Sequence, residues 1–207
     1  MRVLVTGAGG FLGGFTAAAA LARGHVVRAL VLSPVGGTHR LRVIGDDRID
    51  VVVADLRRAT TLDAVLDGVD VVIHLAGVKV GDLPAQFDGT VRSTEFMLDR
   101  MRVSGPGALV GVSTLALYDF IRLRAGETLT ETSPIEQRPA DRSAYVQTKL
   151  VQERLVAEFG DEPGHQVAIV RPGMVYGPLA LRHALLGLDV GRYHLQVGPA
   201  RRLPMIY

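Results

Sequence analysis

Short apolar runs rich in branched residues alternate along the chain with longer stretches of helical character. The runs Arg2–Thr6, Val26–Leu32, Ile49–Ala54, Val69–Leu75, Ala108–Ser113 and Gln166–Arg171 are nearly continuous in apolar residues. That pattern predicts strands buried on both faces, as in a parallel sheet. Between them, Phe15–Arg23, Leu62–Leu66, Ala85–Met101 and Arg142–Phe159 read as helices. Alternating strands and helical stretches predict an α/β fold, a doubly wound parallel sheet of Rossmann type. Toward the end, Pro178–Leu188 reads as helix and Arg201–Tyr207 as the start of a strand. We expect a dinucleotide-binding domain over 1–177. Residues 178–207 would be the beginning of a substrate-binding domain, in a polypeptide that is truncated.

The first strand runs directly into Gly7-Ala-Gly-Gly10-Phe11-Leu12-Gly13, and an Ala-rich helix follows, capped by Gly24. Strand, glycine turn and helix form the context that a phosphate-binding fingerprint requires. Gly7 permits the tight turn, Gly10 lets backbone approach a pyrophosphate, and Gly13 permits close packing of helix on sheet. The helix N-terminus then offers free N–H groups and a positive dipole end. A signal peptide is the competing reading, but glycines and a cap interrupt the apolar stretch.

Composition narrows the picture. With 207 residues the chain can bury one sizeable α/β core. It contains no run of about 18 apolar residues, which predicts no membrane span. Zero Cys excludes disulfides and thiolate metal sites, and it fits a reducing cytoplasm. The six His show no ligand spacing, so no metal is expected. The net charge is only +2 and the arginines are scattered, which argues against nucleic acid as a partner.

Among 23 basic residues only two are lysines, Lys79 and Lys149. Lys149 lies four residues after Tyr145, in Tyr-Val-Gln-Thr-Lys. Residues four apart share a helix face. An ammonium there should pull the phenol's pKa down and let it shuttle a proton. By itself the pair would fit a solvated helix face better; the glycine turn at the N-terminus shifts the balance.

Taken in order, these motifs make the chain resemble the extended short-chain dehydrogenase/reductase family, the NAD-dependent epimerases and dehydratases. Asp55-Leu56 resembles the pair that contacts adenine, although Asp55 alone could cap a helix. His74-Leu75-Ala76-Gly77-Val-Lys79 is similar to a stretch of UDP-glucose 4-epimerases that touches the cofactor. Val112-Ser113-Thr114-Leu-Ala-Leu-Tyr118 resembles the segment that supplies the catalytic Ser/Thr, with Thr114 as the match. Tyr145 and Lys149 match the catalytic Tyr-x-x-x-Lys. Arg171-Pro172-Gly-Met-Val-Tyr-Gly-Pro178 resembles the stretch near the nicotinamide. The resemblance implies that Tyr145 exchanges the hydroxyl proton, Lys149 holds the ribose and Thr114 orients the reacting oxygen. It also implies a small-molecule substrate and a homodimer formed through the helices flanking Tyr145.

Two departures qualify this. Thr90 stands where the family usually has Asn, and Met174 where many sugar-nucleotide enzymes have Asn; the chain contains no Asn at all. The expected acidic ribose ligand after the second strand is also missing, since Val31 occupies its place. Ser33, Thr38, His39 and Arg40 could accommodate a 2′-phosphate instead. The cofactor is therefore NADP or NAD, with a lean to NADP. An epimerase or dehydratase of a sugar-nucleotide-like substrate leads. A simple NADPH-dependent carbonyl reductase and a non-catalytic NADP-sensing regulator remain as alternatives.

Overall fold

The computed structural model describes residues 1–33, 48–123 and 127–177, together with short strands at 188–190, 193–195 and 205–206. It divides into two compact units, Met1–Arg171 and Pro172–Tyr207.

The first unit is built on six parallel strands: β1 (Arg2–Thr6), β2 (Val26–Val31), β3 (Ile49–Val53), β4 (Val71–His74), β5 (Ala108–Val112) and β6 (Gln166–Val170). Their order is β3-β2-β1-β4-β5-β6. This is the doubly wound arrangement, whose direction reverses between β1 and β4. Helices α1 (Phe11–Ala22), α2 (Ala59–Leu66), α3 (Leu83–Phe87), α4 (Ser93–Ser104) and α5 (Ala144–Asp161) connect the strands. Every strand expected in this unit is present: β1 keeps its full length, β4 is shorter by three residues and the other four by one each. α1 begins a turn earlier than its Ala-rich segment suggested, because Gly10 is already its N-cap.

Alternation along the strands creates two cores. Leu4, Leu30, Val72 and Leu109 face Leu62 of α2, Met97, Leu98 and Met101 of α4, and Val156 and Phe159 of α5. On the opposite face Val3, Val5, Val27, Ala29 and Val31 pack with Ala17, Ala20 and Leu21 of α1.

The helix expected over Ala85–Met101 is not continuous. Asp88–Arg92 forms a π-helical turn between α3 and α4. Thr90, Ser93 and Thr94 are buried there. The Ser93 hydroxyl donates to Gly89 O and that of Thr94 to Thr90 O, at 2.9 and 2.6 Å. The Thr90 hydroxyl instead accepts the Val78 N–H at 2.9 Å. Hydroxyl residues of this kind compete with the regular helical ladder.

In the second unit, Met174–Val175 (β7) pairs in parallel with Met205–Ile206 (β10). Leu188–Val190 (β8) pairs with Tyr193–Leu195 (β9) in antiparallel fashion. Leu188, expected to end a helix, thus begins a strand; 178–187 and 201–204 lie outside the described residues.

Candidate active site

The site gathers at the carboxyl ends of β1, β4 and β5, where the strand order reverses. Gly7 turns the chain with φ of 65°, a left-handed conformation that glycine adopts without strain. A Cβ on Gly7 would lie 2.9 Å from the Ala76 nitrogen, and one on Gly13 only 2.2 Å from Gly7 O. The turn therefore has no room for side chains at either point. Phe11 and Leu12 begin α1, whose N-terminus carries neither a side-chain cap nor an acidic residue. Its orphan N–H groups remain available to an anion, so the cradle fits a pyrophosphate.

The last residues of β1 and β4, Thr6 and His74, sit in register. Their side chains meet at 2.8 Å, Thr6 Oγ1 against His74 Nδ1. Thr6 Oγ1 also accepts the N–H groups of Leu75 and Ala76, each at 3.1 Å. The loop Leu75-Ala76-Gly77 is thus held over the glycine turn. Its continuation through Val78 is held by Thr90. Burial pushes the His74 imidazole down to about 3, reinforced by the charge of Lys149, so His74 is neutral.

Thr114 follows β5, and its hydroxyl accepts the Ala116 N–H at 3.2 Å. The same hydroxyl hydrogen-bonds Tyr145. Tyr145 lies in the first turn of α5, behind the Ser143 N-cap. Lys149, one turn later, is buried. Its Nζ donates to Val112 O at 2.6 Å and to the Gln152 side-chain oxygen. Thr114 is thus brought to Tyr145, and Lys149 stands one turn along the same helix with its ammonium against the end of β5.

The electrostatics differ from the sequence expectation. The Tyr145 phenol is pushed up by burial, with the Thr114 hydrogen bond opposing, and Lys149 is not among the causes. The cation over the Tyr145 ring is Lys79, whose Nζ lies 5.9 Å from the ring centroid. Lys149 directs its ammonium to Val112 and Gln152. Burial, and then the Lys79 charge, push Lys149 down to about 8, while Glu153 acts in the opposite sense.

The other expected ligands fall in several places. The Asp55 carboxylate is clasped by Arg57, which also reaches Asp88 at the π turn. That guanidinium holds Asp55 below the usual carboxylate range. The Leu56 side chain belongs to the core. Ser113 is buried beside Glu153, its oxygen lacking hydrogen-bond geometry to any described partner. Ser33 is exposed after β2. Thr38, His39 and Arg40 lie outside the described residues, and Pro172 belongs to the second unit. Among the described residues no cluster of His, Cys, Asp or Glu could hold a metal ion.

Sequence reasoning missed three supports. Gln152 and Thr94 are buried within the site's polar cluster. Glu153 binds Arg171 through both carboxylate oxygens, and Arg171 in turn donates to the Tyr118 hydroxyl at 2.9 Å. Burial pushes the Glu153 carboxyl up, but Arg171, Ser113 and the Lys149 charge together keep the group below its ordinary value. A sign of them was available: Gln152 and Glu153 lie three and four residues beyond Lys149 on one helix.

A doubly wound sheet with a glycine cradle and a Tyr/Lys pair at its switch point defines a nicotinamide-dinucleotide-binding protein class. The profile of the NAD dependent epimerase/dehydratase family matches residues 3–188. The chain belongs to that family, within the extended short-chain dehydrogenases/reductases. It is 27% identical over 183 residues to cinnamoyl-CoA reductase 1 of Arabidopsis thaliana, covering 85% of this chain and 53% of the relative. A 4-hydroxy-2-methyl-3-oxo-4-farnesyl-3,4-dihydroquinoline-1-oxide ketoreductase of Stigmatella aurantiaca is 32% identical over 182 residues, with 86% and 51% covered. Among solved structures, the dTDP-glucose 4,6-dehydratase DesIV of Streptomyces venezuelae, crystallised with NAD, superposes with a TM-score of 0.75. It is 29% identical, over 86% of this chain and 57% of that one. The chain spans about half the length of the curated relatives it matches.

Proposed function

We propose that this chain supplies the cofactor-binding and catalytic half of an NAD(P)-dependent oxidoreductase, epimerase or dehydratase. Its substrate is a sugar-nucleotide-like or other small molecule bearing a hydroxyl or carbonyl. The convergence of Thr114, Tyr145 and buried Lys149 beside the glycine cradle carries this reading.

Gly7, Gly10, Phe11, Leu12 and Gly13 seat the pyrophosphate on backbone amides. Asp55 and Leu56 border the adenine. Leu75, Ala76, Gly77, Lys79 and Ser113 line the remaining course, and Lys149 takes the nicotinamide ribose. When bound, the nicotinamide ring supplies or accepts hydride at C4. Tyr145 gives a proton to a carbonyl oxygen or takes one from a hydroxyl, and Thr114 holds that oxygen in place. The raised phenol makes Tyr145 an acid at neutral pH, which suits the carbonyl-reducing direction. Ser33 and Arg40 are the residues we assign to a 2′-phosphate, in keeping with the lean to NADP.

A carbonyl reductase is the second reading, favoured by the similarity to a reductase and a ketoreductase. The stoichiometry of the cofactor separates the two. A reductase oxidises one NAD(P)H per turnover, whereas an epimerase or dehydratase leaves the nicotinamide pool unchanged. We also infer a cytoplasmic homodimer that pairs through α4 and α5. A surface cavity of about 300 Å³ lies between these helices, bordered by Arg92, Phe96, Asp99 and Leu155. Sedimentation should give twice the 22.2 kDa chain mass.

The test follows absorbance at 340 nm with NADH or NADPH and a panel of carbonyl compounds, together with product analysis of nucleotide sugars. Tyr145→Phe should lower turnover by about 10²–10⁴-fold and leave cofactor affinity nearly unchanged. Full activity in that variant would remove Tyr145 from the reaction. Binding without turnover across the panel would favour a sensor.

A further inference from the structure

Gln152 is buried, yet neither the proton transfer nor the dinucleotide cradle described above uses it. Its amide lies one helical turn beyond Lys149 and accepts from the ammonium. Its NH2 donates to Thr94 Oγ1 at 2.9 Å and to Ala76 O at 3.3 Å.

Valence alone assigns the protons in this cluster. Lys149 has only donors, so the Gln152 oxygen must face it. The single Thr94 hydroxyl proton goes to Thr90 O, at 2.6 Å. Thr94 Oγ1 is then an acceptor, both from Gln152 and from His74 Nε2 at 2.8 Å. His74 therefore carries its proton on Nε2, and its Nδ1 accepts the Thr6 hydroxyl proton. The Thr6 oxygen keeps both lone pairs for Leu75 and Ala76. The other His74 tautomer would leave the Thr6 proton without an acceptor. A doubly protonated ring would aim a second donor at an oxygen whose lone pairs are already taken. The 3.1 Å approach of Gln152 Nε2 to His74 Nε2 is the one contact left unbonded.

We propose that Gln152 is the positioning residue for Lys149: its oxygen anchors the ammonium, and its nitrogen locks that anchor to the Thr94–His74–Thr6 floor beneath the glycine turn. This rests on the reading of Lys149 as the active-site cation. The cluster joins α5 to the carboxyl ends of β1 and β4 through neutral groups only. The ammonium is therefore held by dipoles rather than by a countercharge. The ionisable groups coupled to Lys149 are Lys79 from the loop after β4, His74 from β4 and Glu153 from its own helix; Tyr145 lies one turn earlier on that helix. β5 contributes the neutral Val112 carbonyl. Replacing the Gln152 oxygen with a carboxylate or a methyl group must then move the Lys149 proton equilibrium in opposite directions.

A chain with two lysines allows a direct test, because lysine 13Cε labelling gives two NMR signals, assigned with Lys79→Arg. Lys149 should titrate near 8 in the unaltered protein. Its midpoint should rise by about one pH unit in Gln152→Glu and fall by about one unit in Gln152→Leu. The alkaline limb of the activity profile should move with it. Thermal melts establish that each variant is folded, and Gln152→Glu, close to isosteric, decides the matter if Gln152→Leu does not fold. A midpoint that stays put, or moves the opposite way, in a folded variant overturns the proposal. The titration needs no turnover, so its failure is distinct from a failure of hydride transfer at 340 nm.

Discussion

Tyr145 is the residue at which desolvation and charge compete most plainly. Burial favours the neutral phenol, and the Thr114 hydroxyl only partly offsets it. Lys149 bears the converse cost, since burial disfavours its ammonium and Lys79 adds repulsion. If Lys149 works as the ammonium, the working form is present below about 8 and is lost as pH rises through that value. The profile of kcat/KM should accordingly fall above pH 8, and a flat profile to pH 10 would exclude a role for that charge. His74 supplies a stability prediction of its own. Its folded value of about 3 lies below the unfolded 6.5, so the unfolded chain binds the extra proton between them. Stability from this group is complete above 6.5 and declines by about 1.4 kcal/mol per pH unit as pH falls toward 3. Denaturant titrations of His74→Gln should show a lower stability at neutral pH and an acid slope reduced by one proton. At this scale the Tyr–Lys spacing was legible because it is local. Gln152 was only half legible: its spacing sets it on the Lys149 side of the helix, but nothing near it in sequence says that a polar position there is buried. The direction of the Tyr145 shift was misread because spacing reveals proximity and not solvation.

The glycine turn with α1 and the broken helix from Leu83 to Ser104 are the elements that shape the site. A methyl group on Gly13 would meet backbone, Gly7 O at 2.2 Å and Ala8 Cα at 2.8 Å, and backbone cannot rotate away. Gly13→Ala should destabilise the fold by about 1–3 kcal/mol and weaken dinucleotide binding. Unchanged stability would mean that α1 can move off the sheet. The π turn holds the loop after β4 through Thr90, whose hydroxyl accepts the Val78 N–H at 2.9 Å and donates to Val78 O at 3.5 Å. Thr90→Val strands that amide and should cost about 1–3 kcal/mol, read from chemical denaturation. The six strands of the sheet followed from their apolar runs, although the edge strands β3 and β6 are partly exposed rather than buried on both faces. The π turn was illegible. It depends on where three hydroxyl groups find partners: Ser93 and Thr94 donate back into the turn, and Thr90 accepts from Val78 in the loop after β4.

For the whole molecule, alternation of strand and helix led to the doubly wound sheet, and topology places the site. The reversal between β1 and β4 opens a crevice, and Thr6, His74, Thr114, Tyr145 and Lys149 all stand at its carboxyl edge. What sequence could not convey is the floor of that crevice, where residues 68 positions apart bond to each other. Selective binding to the folded state should raise thermal stability, by about 2.7 kcal/mol at a ligand concentration 100 times Kd. A larger shift with NADP than with NAD would support the assignment of Ser33 and Arg40. A larger shift with NAD would reverse it. The central claim is that the crevice seats a dinucleotide with its reactive ring beside Tyr145. A crystal structure with bound NAD or NADP tests it most directly. The account predicts pyrophosphate on the amides of the Gly7–Gly13 turn and nicotinamide C4 within about 5 Å of the Tyr145 oxygen, near the approach that reaction requires. A ring bound elsewhere, with Tyr145 left facing solvent or protein alone, would contradict it.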